Sequence, residues 1–552
     1  MPARMDRSHG QMDRACEGHA RRRDARCRRG AGQAGQVRLQ GRTPRATRPG
    51  CRVERAARHD PVHVDRAGAW EGGGEEEGWG GEEGGQGHLP PGAIVTASVR
   101  RPALMPGGMT RNCIVLASAL AALAPLPWTR PAAAQDLVLT GATILNPADE
   151  SIRHGVLLIE NGTVSSIAEI VPPDFPGETL DLTGKFVIPA LADLHSHTFG
   201  NNSPAGMPQL LGPQGTANAA LYTGVALVLD LFSPEEMILS FRDRQREEGG
   251  QWAEILAAGP CFTATNGHCT EYGVPTRTVD TPEEARREVA DLAMAGPDVV
   301  KVVYDHQSYG GRTFPTIDLP TLTAVLETAR EHDIKTIVHV GTWQDIRDAA
   351  LAGASGVTHT PGPDPLPPDL PEILLQAGTV HIPTLAVQGD FARLLDDPTL
   401  LDDPLLGETV PAALLDAYRT SASANPQIEG WLAWQRTLMA PNLAAVATLA
   451  ASGVPMLAGT DGGNFGVFQG YSVHRELELL VDAGLSPWAA LRAGTTEAAR
   501  FLNRRWGVER GDEATLLVLD GSPVEDIANT KRVHAVVQRG VVVDREALRS
   551  WR

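Results

Sequence analysis

Two hydrophobic patterns alternate along the chain after residue 135. Short apolar runs rich in β-branched residues are separated by longer stretches in which apolar residues recur at helical spacing. This alternation is typical of βα units, whose strands lie parallel in one sheet. The predicted strands are residues 186–197, 224–231, 254–263, 299–306, 334–340, 356–360, 380–386 and 454–461. Eight strands of this kind predict an α/β fold built as a (β/α)8 TIM barrel.

The two ends of this region show only short strand patterns. Turn signals at Asn161-Gly162 and Arg539-Gly540 divide them into hairpins. We therefore predict a small composite β-sandwich domain that is formed by both chain ends. Its predicted segments are residues 135–185 and 508–552, and the barrel is predicted for residues 186–507.

Helical patterns fill most of the spaces between the predicted strands. One helix begins with Thr281 as N-cap, Pro282 in the first turn and Glu284 in a capping box. The segment 387–450, between the last two predicted strands, is far longer than a usual connection. Its position predicts a lid over the barrel mouth or a contact in a homo-oligomer.

The first 134 residues do not fit this pattern. Residues 1–108 are rich in Arg, Glu and Gly and lack apolar periodicity, which predicts disorder. This segment is interpreted either as a charged interaction tail or as the product of an incorrect gene start. Residues 109–134 have a basic start, a short apolar core and small residues at Ala132 and Ala134, as in a secretory signal peptide. The core is shorter than the ~20 residues of a membrane span. We therefore expect an exported protein, periplasmic or secreted, with no membrane insertion after signal removal.

Composition and charge narrow the range of partners. Hydrophobic residues make up 42% of the chain, as in a globular protein, and the formal net charge is −18. Phosphate groups repel such a chain, so a nucleic-acid partner is not expected. Only Cys261 and Cys269 follow the predicted signal peptide, and the sequence leaves open whether they form a disulfide.

Six residues with metal-binding chemistry stand in or at the ends of the predicted strands. They are His195 and His197 on the first strand, Lys301 on the fourth, His339 on the fifth, His359 on the sixth and Asp461 on the eighth. Each alone has a structural interpretation; Lys301, for example, could pair with Asp305 on the same strand face. Together, at the barrel end where active sites form, they predict a metal centre.

These motifs resemble those of the amidohydrolase superfamily. The stretches "GKFVIPALADLHSHT" and "PMLAGTDGG" are similar to its first and eighth strands, and the resemblance covers residues 136–545. Within the superfamily the chain looks closest to the imidazolonepropionase-related and Xaa-Pro-dipeptidase-like branch. It departs from the usual pattern at Ala190 and Asn266, where glycines are usual.

The resemblance implies a dinuclear centre, with zinc as the expected metal. A neutral, buried Lys301 would capture carbon dioxide, and the resulting carbamate would bridge two divalent ions. His195, His197 and Asp461 would hold one ion, and His339 and His359 the other. Asp461 would also act in catalysis, accepting a proton from water and delivering it to the leaving amine.

The expected reaction is hydrolysis of a carbon–nitrogen bond in a small-molecule amide: a dipeptide, an N-acyl amino acid or a cyclic amide. His268, after the third strand, is predicted to orient the substrate carbonyl as a second catalytic residue, and Tyr304 and Arg312 are candidates for contacting a substrate carboxylate. One alternative is a mononuclear imidazolonepropionase-like ring hydrolase or deaminase, in which His359 would be catalytic and Lys301 structural. A second alternative is a non-catalytic scaffold.

The predicted signal peptide can be tested on the exported protein. Cleavage after Ala134 should leave a mature chain that begins at Gln135. N-terminal sequencing of protein recovered from outside the cytoplasm checks this. An exported species that still carries residues 1–108 would contradict both the signal peptide and the incorrect gene start.

Overall fold

The computed structural model describes residues 136–200, 211–309, 312–421 and 426–549. The predictions for residues 1–108 and 109–134 lie outside these ranges. Within them, no helix combines the length and the apolar character that crossing a membrane requires.

The described strands are short and are distributed over the whole of this region. They are β1 (Leu137–Thr140), β2 (Thr143–Asn146), β3 (Ser151–His154), β4 (Val156–Glu160), β5 (Thr163–Ala168), β6 (Glu178–Asp181), β7 (Phe186–Pro189), β8 (Leu191–Ser196), β9 (Val225–Asp230), β10 (Glu254–Ala257), β11 (Cys261–Thr263), β12 (Arg277–Thr278), β13 (Val299–Tyr304), β14 (Ser308–Tyr309), β15 (Arg312–Thr313), β16 (Lys335–Val340), β17 (Gly356–Thr358), β18 (Val380–Ile382), β19 (Leu516–Leu519), β20 (Val533–Gln538) and β21 (Val541–Val542).

The described helices lie between β8 and β19. They are α1 (Gly212–Tyr222), α2 (Glu235–Glu248), α3 (Pro282–Met294), α4 (Leu319–Glu331), α5 (Trp343–Leu351), α6 (Leu370–Ala377), α7 (Leu385–Asp396), α8 (Pro404–Thr409), α9 (Ala412–Ser421), α10 (Pro426–Ala451), α11 (Tyr471–Asp482), α12 (Pro487–Gly494) and α13 (Thr496–Phe501). Short 3₁₀ turns occupy Thr270–Tyr272, Pro398–Asp402 and Ile527–Lys531.

Two sheets are built from strands near the ends of the described chain, and the larger of them combines strands from both ends. β5, β4, β1 and β6 form one sheet in that order, and β21, β20, β19, β7, β2 and β3 form the other. β19 pairs with β7, so the C-terminal strands complete a sheet that the N-terminal strands begin. The two sheets share an apolar cluster that includes Leu157, Ile159, Val187, Leu516 and Val518. This is the combination of strands that the sequence pattern predicts.

The two predicted hairpin turns are confirmed. Asn161 and Gly162 join β4 to β5 with φ of 50° and 76°, and Arg539 and Gly540 join β20 to β21 with φ of 50° and 78°. Two-residue hairpins of this type require positive φ at both central residues, a condition that Gly meets without strain and Asn at small cost.

Parallel strands form the central part of the molecule. β10, β9 and β8 make one sheet, while β11, β13, β16, β17 and β18 are neighbours in a second sheet that β12 extends. The pairings between these strands are parallel. Both faces are covered, which is why the sequence of these strands is apolar almost throughout.

The eighth predicted strand, residues 454–461, lacks a regular ladder. It contributes an isolated parallel bridge of Met456 with His381, and Gly462, just beyond it, forms another with Ser196. The Thr460 N–H donates to the Asp193 carboxylate as well as to a backbone carbonyl, which interrupts the expected pairing. The α/β class and the strand order are therefore confirmed, but the described strands do not form a single closed sheet.

The insertion between β18 and residue 454 is helical, as its pattern predicts. α7 leads into it, and α8, α9 and α10 follow before the chain returns to the sheet. The Tyr418 hydroxyl accepts a hydrogen bond from the Gly466 N–H, which fastens α9 to the loop after Asp461. A lid or an oligomer contact formed by this insertion stays a prediction.

Candidate metal centre

The first histidine pair lies at the carboxyl end of β8. Residues two apart on a strand project to the same side, and the rings of His195 and His197 lie 5.2 Å apart between centroids. Their Nε2 atoms lie 3.4 Å and 2.8 Å from Asp461 Oδ1. The structure therefore brings these three predicted ligands together around one oxygen atom.

Asp461 is held in this position by its backbone. It has a φ of 63°, and its N–H donates to the His195 carbonyl over 2.7 Å. Oδ1 is buried and has no partner in hydrogen-bond geometry among the described residues. Burial opposes ionisation of Asp461, but the charges of His195 and His197 hold its pKa well below the usual range. An unpartnered buried carboxylate oxygen between imidazoles fits the ligand chemistry of a divalent cation.

Lys301 lies on β13 with only 2% of its surface exposed. Its Nζ is 3.3 Å from His195 Nε2. Burial lowers the pKa of Lys301 to about 8, although the charge of Asp461 acts in the opposite direction. Burial therefore shifts this amine towards its neutral form, the form that binds a metal or reacts with carbon dioxide.

The second histidine pair comes from β16 and the end of β17. His339 Nδ1 and His359 Nε2 are 2.9 Å apart. The outer nitrogen of His339, Nε2, donates to Asp305 Oδ2 over 3.2 Å. The outer nitrogen of His359, Nδ1, donates over 2.7 Å to Thr384, because the Thr384 hydroxyl itself donates to the Pro383 carbonyl.

These outer hydrogen bonds determine whether the ring nitrogen that faces the centre carries a proton or a lone pair. When both outer nitrogens carry the proton, both facing nitrogens carry a lone pair. Burial lowers the pKa of His339 to about 4 and that of His359 well below its usual value, so both rings are neutral. Two lone pairs directed at each other repel, and a cation between them would remove the repulsion. This second pair therefore also fits a metal ion.

The sequence pattern does not identify three partners of the predicted ligands, namely Asp305, Thr358 and Thr384. Asp305 was considered a partner for Lys301, but its carboxylate accepts from His339. A Cβ at Gly341 would collide with that carboxylate, so a glycine is needed there. Thr358 hydrogen-bonds His195 Nδ1 over 2.6 Å, which turns Nε2 of that ring towards Asp461.

The Thr384 side chain depends in turn on the start of α7. The N–H groups of Leu385 and Ala386 donate to the buried Glu476 carboxylate over 2.9 Å and 2.8 Å. Burial raises the pKa of Glu476 to about 8, and these two hydrogen bonds act against the rise. Glu476 thus fixes the helix that begins directly after Thr384.

His268 lies at the edge of the centre, as predicted. Its ring centroid is 4.7 Å from that of His339, and Nδ1 is 2.7 Å from Glu271 Oε1. Burial acts against protonation of His268, but the hydrogen bond with Glu271 and nearby negative charge raise its pKa.

Tyr304 and Arg312 are the other two residues predicted to contact a substrate carboxylate. The Tyr304 hydroxyl donates to Asp348 on α5 over 3.2 Å, so this side chain faces away from the centre, as its odd offset from Lys301 implies. The side chain of Arg312 lies outside the described residues.

Cys261 and Cys269 are both buried and are free thiols, with no disulfide between them.

Comparison with known proteins identifies the family. The sequence model of the amidohydrolase family matches residues 186–543. The chain belongs to this family. It is therefore a hydrolase that acts on carbon–nitrogen bonds, and the amidohydrolase family generally uses divalent metal ions.

Relatives in sequence and in structure agree with this assignment. An uncharacterized protein of Mycobacterium tuberculosis is 23% identical over 359 residues, covering 65% of this amidohydrolase and 85% of the relative. A Xaa-Pro dipeptidase with bound methionine has a TM-score of 0.59 at 19% identity, covering 74% and 99% of the two chains. A prolidase bound to N-methylphosphonate-L-proline has a TM-score of 0.60 at 20% identity, with the same coverage. At these identities the structures show a shared TIM-barrel-type α/β fold.

The hydrogen bond from His339 to Asp305 generates a prediction about metal affinity. Replacing Asp305 by Ala should weaken metal binding by about 10- to 100-fold, since the lost acceptor no longer fixes the ring. Asp305→Asn keeps an oxygen acceptor and should retain most of the affinity. The measurement is metal content by elemental analysis after dialysis against graded chelator.

The matched control is Asp348→Ala, which removes a carboxylate on α5 that accepts a hydrogen bond from Tyr304 and faces away from the centre. It should leave metal affinity unchanged. Wild-type metal affinity in a folded Asp305→Ala variant, with folding checked by circular dichroism, would contradict the assigned role of Asp305.

Proposed function

We propose that this amidohydrolase uses a dinuclear centre to hydrolyse amide bonds of small substrates: dipeptides, N-acyl amino acids or cyclic amides. The observation that carries the proposal is the pair of nitrogens on His339 and His359, which lie 2.9 Å apart while the outer nitrogens of both rings contact Asp305 and Thr384. This pair adjoins the group around Asp461 Oδ1, because His359 reaches both, and we infer that the residues can hold two cations side by side.

The proposed ligands divide accordingly. His195, His197 and Asp461 would hold one ion, and His339 and His359 the other. Lys301 would bridge them after its neutral amine adds to carbon dioxide and releases a proton to form a carbamate. Its burial and lowered pKa support this, because a protonated amine cannot react in this way. Bound divalent ions, expected to be zinc, would lower the pKa of water and polarise a substrate carbonyl.

The proton movements are assigned to Asp461. Its buried Oδ1, which lies 2.8 Å from His197 Nε2, would accept a proton from the attacking water and give it to the nitrogen of the leaving amine. His268, beside His339, is placed to orient the carbonyl oxygen of the substrate. An amide suits this arrangement because its leaving group needs a proton, and the similarity to a Xaa-Pro dipeptidase and a prolidase supports amides of this size.

One observation favours a mononuclear alternative. His195, His359 and Asp461 each offer a ligand atom, and these atoms lie within 4.8 Å of one another. A single ion held by this group would leave Lys301 with a structural role. The number of ions per chain in fully active enzyme decides between the two.

We also propose, from the sequence of residues 109–134, that the enzyme acts outside the cytoplasm.

Removal of Lys301 tests the dinuclear centre. Lys301→Ala should lower the metal content from about two ions per chain and the activity by at least ~10²-fold, because the bridging group is lost. Added acetate or propionate should restore part of both by replacing the carbamate. Lys335→Ala, at the start of the neighbouring strand β16, is the control and should match the wild type. Full activity with one tightly bound ion would support the mononuclear alternative.

The reaction itself is tested with matched substrate classes. Dipeptides, N-acyl amino acids and cyclic amides are compared with lactones and phosphotriesters, each with wild-type enzyme and Asp461→Asn. We expect turnover of amides and a fall in kcat of at least ~10²-fold in the variant, since its amide cannot accept the proton. Turnover of esters alone would refute the amide assignment. Normal kcat in a metal-replete Asp461→Asn enzyme would remove Asp461 from the proton transfer.

A further inference from the structure

Aromatic rings from three different loops lie near the edge of the centre, and two of them are neighbours of His268. Tyr272 and Phe314 have ring centroids 5.8 Å and 5.7 Å from that of His268. Phe232, after β9, lies 6.4 Å from Tyr272 and 6.4 Å from His197. The rings therefore form a continuous wall that starts at a proposed metal ligand and leads outward.

The base of this wall is a small apolar cluster apart from the main core. Phe232 packs there with Cys261, Cys269 and Val303, and Val274 covers the cluster. Cys261 is the residue opposite Lys301 in the pairing of β11 with β13. Buried apolar side chains thus extend from beside the predicted bridging lysine to the loop that carries His268 and support Phe232 from below.

The outer end of the wall is open. Tyr272 is 59% exposed, and Phe314 is only partly buried. Exposed aromatic surface next to a reactive centre is the usual form of a site for an apolar group. His268 Nδ1 lies 2.7 Å from Glu271 Oε1, so any positive charge on His268 is already paired. A ligand at this wall would therefore contact aromatic rings rather than an unpaired cation.

We propose that Phe232, Tyr272 and Phe314 form a subsite for an aromatic ring of the substrate. The reaction at the bond next to that ring rests on the proposed function, whereas binding of the ring does not. The three side chains would contact the ring by offset or edge-to-face packing while the amide lies over His195, His197 and Asp461. The preferred substrate class is therefore an amide with a ring within a few bonds of its carbonyl carbon.

The test compares two acyl groups of equal carbon number. N-phenylacetylglycine carries a ring, and N-octanoylglycine carries a straight chain. We expect kcat/KM to favour the phenylacetyl compound by about tenfold, a size that aromatic packing supplies. Tyr272→Ala should reduce this preference to within about twofold, and Tyr272→Phe, which keeps the ring, should retain it. Met294→Ala is the control, since Met294 is 81% exposed at the end of α3 that leads into β13.

Binding is measured separately from turnover. Calorimetric titration of N-phenylacetylglycine into the Asp461→Asn enzyme, with and without Tyr272→Ala, should show a loss of affinity of about tenfold on removal of the ring. If no amide is hydrolysed but this loss is seen, the proposed reaction fails and the subsite stands. If amides are hydrolysed and Tyr272→Ala changes neither the preference nor the affinity, the subsite is wrong. Circular dichroism of each variant confirms that it is folded.

Discussion

Two buried imidazole nitrogens, His339 Nδ1 and His359 Nε2, lie 2.9 Å apart at the centre of this enzyme. The outer nitrogens of the two rings are within hydrogen-bond distance of Asp305 and Thr384, which hold both rings in place. The pairing of β16 with β17 fixes the distance between the rings, since it places Thr358, next to His359, opposite His339. When both outer nitrogens carry the proton, the two inner nitrogens present lone pairs that a cation can share. The local fold thus holds two ring nitrogens in positions that suit the ligands of a cation.

A second buried carboxylate has a structural role at the other side of the centre. Asp193 accepts hydrogen bonds from the Thr460 hydroxyl, over 2.6 Å, and from the N–H groups of Thr460 and His195. Burial raises the pKa of Asp193 to about 7, and these hydrogen bonds limit the rise. Regular strand pairing is lost at this point, but Asp461 gains a fixed position against β8. The irregular eighth segment is therefore part of how the ligand is placed.

The candidate ligands could be selected from the sequence because each is a polar residue within or at the end of an apolar strand. Strand alternation also explains why His195 and His197 converge and why Tyr304 points away. The roles of Asp305, Thr358 and Thr384 could not be predicted, because they depend on which nitrogen of a neighbouring ring needs a partner. The aromatic wall was missed for a different reason: its rings belong to loops, where no periodicity relates one residue to the next.

The position of Thr384 has a consequence for the helical insertion. Thr384 fixes the ring of His359 and is also the residue from which α7 starts, with Glu476 holding the first turn of that helix. A shift of α7 would therefore alter the orientation of a metal-facing nitrogen, and occupation of the centre would in turn restrain α7. If the proposed centre binds metal, thermodynamic reciprocity requires that any effect of the insertion on metal affinity be matched by an equal effect of the metal on the insertion. Thr384 is the residue through which such an effect would pass.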